Sequence, residues 1–408
     1  MDRRIFLKTA AFAAASALAA PFKALGAEYK IKITALRVRK IRLIKELGTL
    51  PSRPHGPVIA PRVGGDTFIE IQTSEGITGI GPGVSPAVLA RANELLIGKD
   101  PFAIEDHAYA LFDPEAGSSG VEVALWDLIG KIVNLPLYKL WGGTNNALMP
   151  YASQRSLGTP AERARMAQTV RNDGWRAIKY RSHFQTLKED VALVELTRKA
   201  MGPDFHIMCD ANQAGNSPDG WSGGLVRWDV KRALNTAKEY ERLDVYWLEE
   251  PLPRWDFEGL AEVSASTSML TAGGEGNKGL HEFRWMLEQG VFDIMQPEVG
   301  LVGPSIARRI AALAAARDKF CVCHVGNGLS NICAGHLAAS WTNTPKLGLE
   351  HPQGPTWEIF YEPPVVDINQ MWTVFETPLV LNKATGEIHL NDAPGLGMTY
   401  KKDLIEDA

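Results

Sequence analysis

Three acidic residues in the middle of the chain each follow an apolar run. They are Asp210 after Ile207-Met208-Cys209, Glu249 after Tyr246-Trp247-Leu248, and Glu275 after Leu270-Thr271-Ala272-Gly273-Gly274. An acid that closes a buried strand is costly to leave unpaired, because burial penalises its charge. Three such acids in succession therefore predict a bound cation or a reacting group at a shared site.

The same spacing continues further along the chain. The first two steps are 39 residues (210 to 249) and 26 residues (249 to 275), and Glu298, His324 and Glu350 follow at 23, 26 and 26. Each residue alone could be a helix N-cap or a buried core histidine. Six in succession favour a ring of parallel strands that places all of them at one mouth.

The elements around these residues alternate between strand and helix. Amphipathic periodicity predicts helices at 161–173, 187–201, 230–243, 257–264, 280–289 and 304–318. Apolar strands between helices are typical of a parallel sheet. Earlier in the chain, alternation over 33–44 and a hairpin at 68–80 predict antiparallel strands, and the Pro- and Gly-rich segment 46–62 between them predicts a lid loop.

Composition and charge narrow the class of protein. The chain has 408 residues, of which 45% are hydrophobic and 22% charged, and its net charge is −4. Without a basic cluster interleaved with aromatics, the sequence does not indicate nucleic-acid binding. The four cysteines lie in or beside predicted strands, and strand alternation turns Cys321 and Cys323 away from His324, so core packing is favoured over a soft-metal site.

Residues 1–27 resemble a twin-arginine export signal. Arg3 and Arg4 precede an Ala-rich apolar stretch that is short for a membrane span, and small residues near Ala27 offer a cleavage site. We therefore expect a mature protein that is exported by the twin-arginine route to the periplasm and has no membrane association.

The helical segment 123–131 and its exit at 135–143 resemble the linker between capping domain and barrel in the enolase superfamily, and the remaining pattern is similar to the mandelate racemase group. Lys179-Tyr180-Arg181 matches the motif that ends the second barrel strand in that group. The other matching positions are Asp210, Glu249 and Glu275 as magnesium ligands, Glu298 and His324 as an acid–histidine dyad, and Glu350 as the acid of the eighth strand.

This resemblance implies a modified (β/α)8 TIM-type barrel with an N-terminal α+β capping domain. The expected boundaries are 28–145 for the capping domain, 146–375 for the barrel and 376–408 for a C-terminal segment that packs back on the capping domain. It also implies removal of the proton beside a substrate carboxylate, with one Mg²⁺ per subunit stabilising the charge that develops. Related barrels commonly associate, so a homo-oligomer is expected.

The roles of the individual residues follow from the same resemblance, except that of Asn212, which follows from its position two residues after Asp210 on the same face of the strand. Lys179, His324, Glu298 and Glu350 are the expected catalytic residues, and Arg181 and Asn212 are expected to bind the substrate. Glu298 stands where the family usually has Asp, and it would hold the tautomer of His324. Arg181 is the larger departure from the family's pattern, because this position normally supplies a base. Arginine stays protonated and is a poor base, although it binds carboxylates well.

Chemistry with one base is therefore favoured, in which His324 or Lys179 removes the proton and a protonated group helps a β-hydroxyl to leave. This reaction is dehydration of a sugar acid, an aldonate or aldarate, to a 2-keto-3-deoxy acid. Racemisation or epimerisation stays open if Lys179 is an opposing base, and so does cycloisomerisation of a sugar-acid lactone or anhydro sugar acid. A non-catalytic periplasmic sugar-acid binding protein is the alternative from another class. The segment 216–224, which contains Trp221, is expected to project over the barrel mouth, and His183 is expected to face the mouth if its strand extends that far.

Overall fold

The computed structural model describes most of the chain after residue 30. The described residues are 31–50, 60–113, 117–215, 226–326, 328–345, 347 and 355–408. The predicted export signal and segment 216–224 fall outside these ranges, as do most of the predicted lid and Glu350. No helix within the described ranges is both long and apolar enough to cross a membrane.

The larger part of the structure is a barrel of seven strand–helix units followed by an eighth strand. The strands, in chain order, are β6 (Ala147–Ser153), β7 (Ala177–Arg181), β8 (His206–Asp210), β9 (Trp247–Glu249), β10 (Leu270–Gly273), β11 (Ile294–Met295), β12 (Phe320–Cys321) and β13 (Thr356–Phe360). The helices between them are α5 (Pro160–Asn172), α6 (Leu187–Met201), α7 (Val230–Arg242), α8 (Phe257–Ala265), α9 (Leu280–Gln289), α10 (Val299–Ala315) and α11 (Leu329–Ser340).

All the barrel strands run parallel, and backbone pairing connects them in the order β12-β11-β10-β9-β8-β7-β6-β13. Between β12 and β13, the backbone N–H of Val325 donates to Oε2 of Glu358 at 3.0 Å. Helices α5 and α6 each begin with a capping box, at Thr159 and Thr186, which satisfies N–H groups that the first helical turn leaves unpaired.

The barrel interior is filled by side chains from alternating strand positions. These side chains are those of Met149, Tyr151, Ala177, Met208, Trp247, Ala272, Ile294, Val322 and Leu347. Because successive strand residues point to opposite faces, the residue two positions further along each strand points into the barrel mouth. This packed layer therefore forms the floor of whatever site lies above it.

A smaller α+β unit precedes the barrel. Its antiparallel sheet contains β1 (Ile33–Ile41), β4 (Thr67–Thr73), β5 (Thr78–Pro82) and the C-terminal strand β15 (Ile405–Asp407), in the order β15-β1-β4-β5. Its helices are α1 (Pro86–Leu96), α2 (Ile104–Leu111), α3 (Ser119–Ile132) and the short α4 (Leu137–Leu140). The remaining elements are β2 (Lys45–Glu46), which pairs with β3 (Arg62–Val63), then α12 (Ile368–Met371), and β14 (Ile388–His389), which pairs with β6.

The buried carboxylate of Asp127 on α3 connects three parts of this unit. It accepts hydrogen bonds from the backbone N–H of Ile80 on β5 at 2.8 Å and of Leu396 in the C-terminal segment at 2.7 Å. Lys131 pairs with the same carboxylate at 2.7 Å. Because the side chain of Asp127 is fully buried, these partners are what make its charge tolerable.

The predicted fold class, a modified (β/α)8 barrel with an α+β capping domain, is confirmed. The six predicted barrel helices all occur, although α10 begins five residues earlier than predicted and kinks at Gly303, before Pro304. Helix α11 was not predicted because nearly all of its residues are buried, so its sequence has no amphipathic period. The structure describes an eighth strand at Thr356–Phe360, and the predicted one immediately before Glu350 falls mostly outside the described residues.

Candidate active site at the barrel mouth

Strand alternation brings four charged side chains to the mouth from three neighbouring strands. Lys179 and Arg181 follow the interior residue Ala177 on β7, while Asp210 ends β8 and Glu249 ends β9. The parallel register places Arg181 beside Asp210, and Asp210 beside Glu249. Side chains far apart in the sequence thus lie at the same level of the barrel, as the sequence pattern predicted.

Glu275 reaches the site through a turn rather than through strand alternation. Strand β10 ends at Gly273, and Gly274 has φ +116°, a value that residues with a Cβ rarely adopt. A Cβ at Gly274 would also lie 2.8 Å from the ring of Phe283. The two glycines before Glu275 therefore let the chain turn and direct its carboxylate towards the mouth.

Asp210, Glu249 and Glu275 form the cluster of acids that the sequence predicted. One ligand oxygen from each lies within 4.8 Å of the others. Burial and the nearby Glu249 raise the pKa of Asp210 to about 8, and burial likewise raises the pKa of Glu249. Three close carboxylates, two of them buried and the third half-buried, repel one another, and a divalent cation would relieve that repulsion.

The cluster fits a hard cation that prefers oxygen ligands. All three groups supply carboxylate oxygens, which suit magnesium, whereas zinc favours nitrogen and sulfur ligands. Asn212 supports the arrangement, because its backbone N–H donates to Asp210 Oδ1 at 2.8 Å and its side-chain amide donates to Asp210 Oδ2. The Oδ1 atom of Asn212 is buried and has no hydrogen-bond partner among the described residues, so it can accept from a ligand. The prediction that these three acids lie together as a group that could hold magnesium is confirmed.

Lys179 is held between two buried carboxylates. Its ammonium lies 2.7 Å from Glu249 Oε1 and 2.8 Å from Glu358 Oε1, and the three side chains are at most 4% exposed. Burial alone would lower the pKa of Lys179, but the charges of Glu249 and Glu358 outweigh it and hold that pKa above its ordinary value. Lys179 is therefore a fixed cation in this structure.

His324 and Glu298 lie together as the sequence predicted for a dyad. Nδ1 of His324 is 3.2 Å from Glu298 Oε2, and its Nε2 is 2.9 Å from Glu275 Oε2. Burial opposes protonation, yet the charges of Glu275 and Glu358 raise the pKa of His324 well above its usual range. The longer side chain of Glu298 still reaches the imidazole, so the replacement of Asp by Glu preserves the contact.

A cavity of about 300 Å³ lies over these groups. Its lining is almost entirely polar and consists of Ser153, Gln154, Arg155, Lys179, Arg181, Asp210, Asn212, Glu275, Glu298, His324, Val325 and Glu358. Of the predicted site residues that the structure describes, all except the fully buried Glu249 line this cavity. This volume is at the lower end of ligand pockets and suits one small acid.

Two charged residues of this cavity were not predicted, Arg155 and Glu358. Glu358 occupies the middle of β13, where its side chain is fully buried and contacts Lys179. An acid between Trp357 and Ile359 in an apolar strand was the signal that could have revealed it. Glu350, the residue predicted for this role, lies outside the described residues.

Two further ionisable residues, His183 and Glu250, do not line the cavity. Strand β7 ends at Arg181, so His183 lies beyond it and does not line the cavity. Burial lowers the pKa of His183 to about 4, so the side chain is neutral. Glu250 is buried behind Glu249, and burial together with the charge of Glu275 raises its pKa well above the usual range.

Comparison with known families matches nearly the whole described chain. Residues 161–404 match the enolase C-terminal domain-like family, and residues 65–142 match the N-terminal domain of mandelate racemase / muconate lactonizing enzyme. The first match alone covers more than half of the 408 residues. The two matches fall on the barrel and on the α+β unit that precedes it.

Solved structures give the same result. A member of the enolase superfamily from Polaromonas sp. JS666 is 28% identical, with a TM-score of 0.73 over 91% of this chain and 96% of that chain. L-talarate/galactarate dehydratase from Salmonella typhimurium LT2, liganded with Mg and L-lyxarohydroxamate, is 23% identical (TM-score 0.73, 93% of both chains). A racemase from Streptomyces coelicolor A3(2) with bound magnesium is 24% identical (TM-score 0.70, 92% and 100%).

These relatives include both a dehydratase and a racemase, so the family supports an enzyme but leaves its reaction open. The features shared with these structures are the barrel and the unit that precedes it, and two of them contain bound magnesium. On the family matches, the chain belongs to the mandelate racemase/muconate lactonizing enzyme group of the enolase superfamily.

Proposed function

We propose that the protein is a magnesium-dependent dehydratase that converts a sugar acid, an aldonate or aldarate, to a 2-keto-3-deoxy acid. The observation that carries this proposal is an asymmetry in the site. One side presents a histidine held by a carboxylate, and the β7 side presents only cations. Such a site suits a reaction that needs one base rather than two.

His324 is the group that can accept the proton. Its Nδ1 is held by Glu298, which fixes the orientation of the ring. Its Nε2 lies 2.9 Å from Glu275 Oε2, and a cation bound by Glu275 would neutralise the carboxylate charge that raises the pKa of His324, so the imidazole would be able to accept a proton. A carboxylate partner of this kind also keeps the imidazole basic enough to take a proton from carbon. Glu298 is accordingly a positioning residue, and His324 is the proposed catalytic base.

The β7 side offers no comparable base. The ammonium of Lys179 is engaged by Glu249 and Glu358 in two short ion pairs. Arg181 lines the same cavity and stays protonated in proteins. Both groups suit binding of the substrate carboxylate, and neither suits removal of a proton from the opposite face of the carbon. Racemisation would require such a second base.

The proposed reaction balances with His324 alone. The C2–H bond breaks and its proton passes to Nε2 of His324, and the resulting imidazolium protonates the hydroxyl on C3 as the C3–O bond breaks. Water leaves, and the enol that remains tautomerises to the 2-keto-3-deoxy acid. When bound by Asp210, Glu249 and Glu275, magnesium supplies positive charge that stabilises the carboxylate oxygens as negative charge builds on them.

A direct test is to incubate the protein with a panel of aldonic and aldaric acids, with Mg²⁺ or with EDTA, and to measure 2-keto acids. We expect product from at least one acid with Mg²⁺ and none with EDTA. Repeating the incubation in heavy water separates the alternatives. Exchange at C2 without elimination would indicate an epimerase instead, and binding without metal or turnover would indicate a binding protein.

We also propose export by the twin-arginine route, on the grounds of Arg3, Arg4 and the Ala-rich stretch that follows. Cell fractionation tests this proposal. Full-length protein should accumulate in the periplasm, and Arg3→Lys/Arg4→Lys should retain it in the cytoplasm. A periplasmic pool that is unaffected by the double substitution would contradict the proposal.

A further inference from the structure

One cation of the cavity, Arg155, forms no close ion pair with an acid among the described residues, although its charge contributes to lowering the pKa of Glu275. Arg155 lies just beyond β6 and lines the cavity together with Arg181. Lys179 is engaged by two carboxylates, whereas no described carboxylate lies within 4.0 Å of the guanidinium of Arg155. Arg155 is half-buried, so the guanidinium donors that face the cavity need an anion or water as a partner.

The backbone that carries Arg155 is fixed by a buried acid. Glu362 accepts hydrogen bonds from the backbone N–H of Arg155 at 3.0 Å and of Ser156 at 3.1 Å. Glu362 is itself paired with Arg163 at 2.8 Å, and these two side chains are 1% and 6% exposed. Arg163 also donates to Gln154 Oε1 at 2.7 Å. Loop residues 154–156 are therefore held rigidly from beneath.

The side chain of Arg155 is supported as well. Its guanidinium carbon lies 4.9 Å from the centre of the Phe360 ring. Contact with an aromatic face leaves the edge of the guanidinium, with its parallel N–H donors, available to a ligand. Backbone and side chain together place a fixed, bidentate donor on the cavity wall.

We propose that Arg155 binds a second carboxylate of the substrate, so that the substrate is a diacid of the aldarate class. This inference rests on the proposed function, in which the metal site, Lys179 and Arg181 hold the carboxylate beside the reacting carbon. Arg155 is the cation left for the far end of the molecule. A cavity of about 300 Å³ holds one short linear diacid with both ends engaged.

Paired ligands that differ only at the far carbon test the proposal. The pairs are galactarate with D-galactonate, D-glucarate with D-gluconate, and D-mannarate with D-mannonate. Binding is measured by calorimetry on magnesium-loaded His324→Asn protein, which should not turn the acids over. For at least one pair, we expect the diacid to bind roughly 10- to 100-fold more tightly, since a hydrogen bond to a charged group contributes that much.

Substitutions then assign this preference to one residue. Adding Arg155→Met should weaken diacid binding by roughly 10- to 100-fold and change mono-acid binding by less than about 3-fold. Arg155→Lys should fall between, because lysine keeps the charge without the paired donors. The control is Arg165→Met on the exposed face of α5, which should change neither ligand.

The possible outcomes separate this proposal from the proposed function. If mono-acids bind as tightly as diacids in every pair, or if Arg155→Met weakens the binding of mono-acids and diacids equally, the diacid proposal is overturned. This conclusion holds even if the wild type forms 2-keto acids. If diacids bind preferentially through Arg155 but the wild type forms no 2-keto acid, the dehydratase assignment fails and the assignment of Arg155 stands.

Discussion

Replacing His324 with asparagine tests which group removes the proton. Asparagine is polar and can hydrogen-bond to Glu298 in place of Nδ1, but it cannot accept a proton at Nε2. We expect the turnover number to fall by about 10³-fold, within the range that general acid–base catalysis contributes. This loss corresponds to about 4 kcal/mol of transition-state stabilisation.

The size of the expected loss follows from the surroundings of His324. A smaller loss would require another base to take over, but the ammonium of Lys179 is paired with Glu249 and Glu358 and Arg181 is always protonated. The fold should tolerate the change, because His324 is 12% exposed and its partners are two carboxylates at the cavity wall. We therefore expect magnesium affinity and thermal stability close to those of the wild type.

The assay measures 2-keto acid formation at saturating substrate and Mg²⁺, together with loss of deuterium from substrate labelled at C2. Glu298→Gln is the matched comparison, because it keeps the shape of the partner but removes its charge. It should reduce turnover by roughly 10- to 100-fold, less than the loss of the base itself. If His324→Asn forms product and releases deuterium at nearly the wild-type rate, the assignment of His324 is wrong.

Two further predictions concern stability. In EDTA, Lys179→Met should lower the free energy of unfolding by about 3 kcal/mol, because it leaves Glu249 and Glu358 buried without their counter-ion; an unchanged urea midpoint would show that the two ion pairs contribute nothing net. His336 is fully buried, and burial lowers its pKa to about 4 from 6.5, so the neutral form is stabilised in the folded state. This stabilisation is complete above pH 6.5 and is lost as the pH falls towards 4. Between about pH 6.5 and 5, the free energy of unfolding of the wild type should therefore fall by about 2 kcal/mol more than that of His336→Gln. Parallel pH dependence of the two proteins in urea titrations would refute this.

The sequence was most informative where strand alternation decides the direction of a side chain. Asp210 and Glu249 end apolar strands, and the interior residues two positions earlier, Met208 and Trp247, fix the side to which they point. The spacing of one strand–helix unit then places successive acids at the same mouth. Both facts are local or periodic, which is why the metal cluster could be predicted without coordinates.

The eighth strand was harder to place, because the preceding unit gives no clear period. Helix α11 is buried on all sides. The apolar run before Glu350 is as typical of a buried strand as the described strand at Thr356–Phe360. Because the position of the eighth strand could not be read from the sequence, Glu358 was not identified as a site residue. Its role depends on contact with Lys179, across two strands that lie far apart in the sequence.

Arg155 could not have been found from spacing at all. Nothing in the local sequence distinguishes it from other arginines that follow a strand. Its position depends on Glu362, more than two hundred residues away, whose buried carboxylate holds the loop. Pairing of this kind is set by tertiary structure and leaves no periodic signal in either segment.

The central claim is that Asp210, Glu249 and Glu275 hold one divalent cation at the barrel mouth. Titration of metal-free protein with Mg²⁺ by calorimetry tests it most directly, with Glu249→Gln in parallel. We predict one ion per chain for the wild type and at least about 100-fold weaker binding for the variant, since loss of one charged ligand costs about 3 kcal/mol. Equal affinity and stoichiometry in the two proteins would show that these carboxylates do not form the metal site.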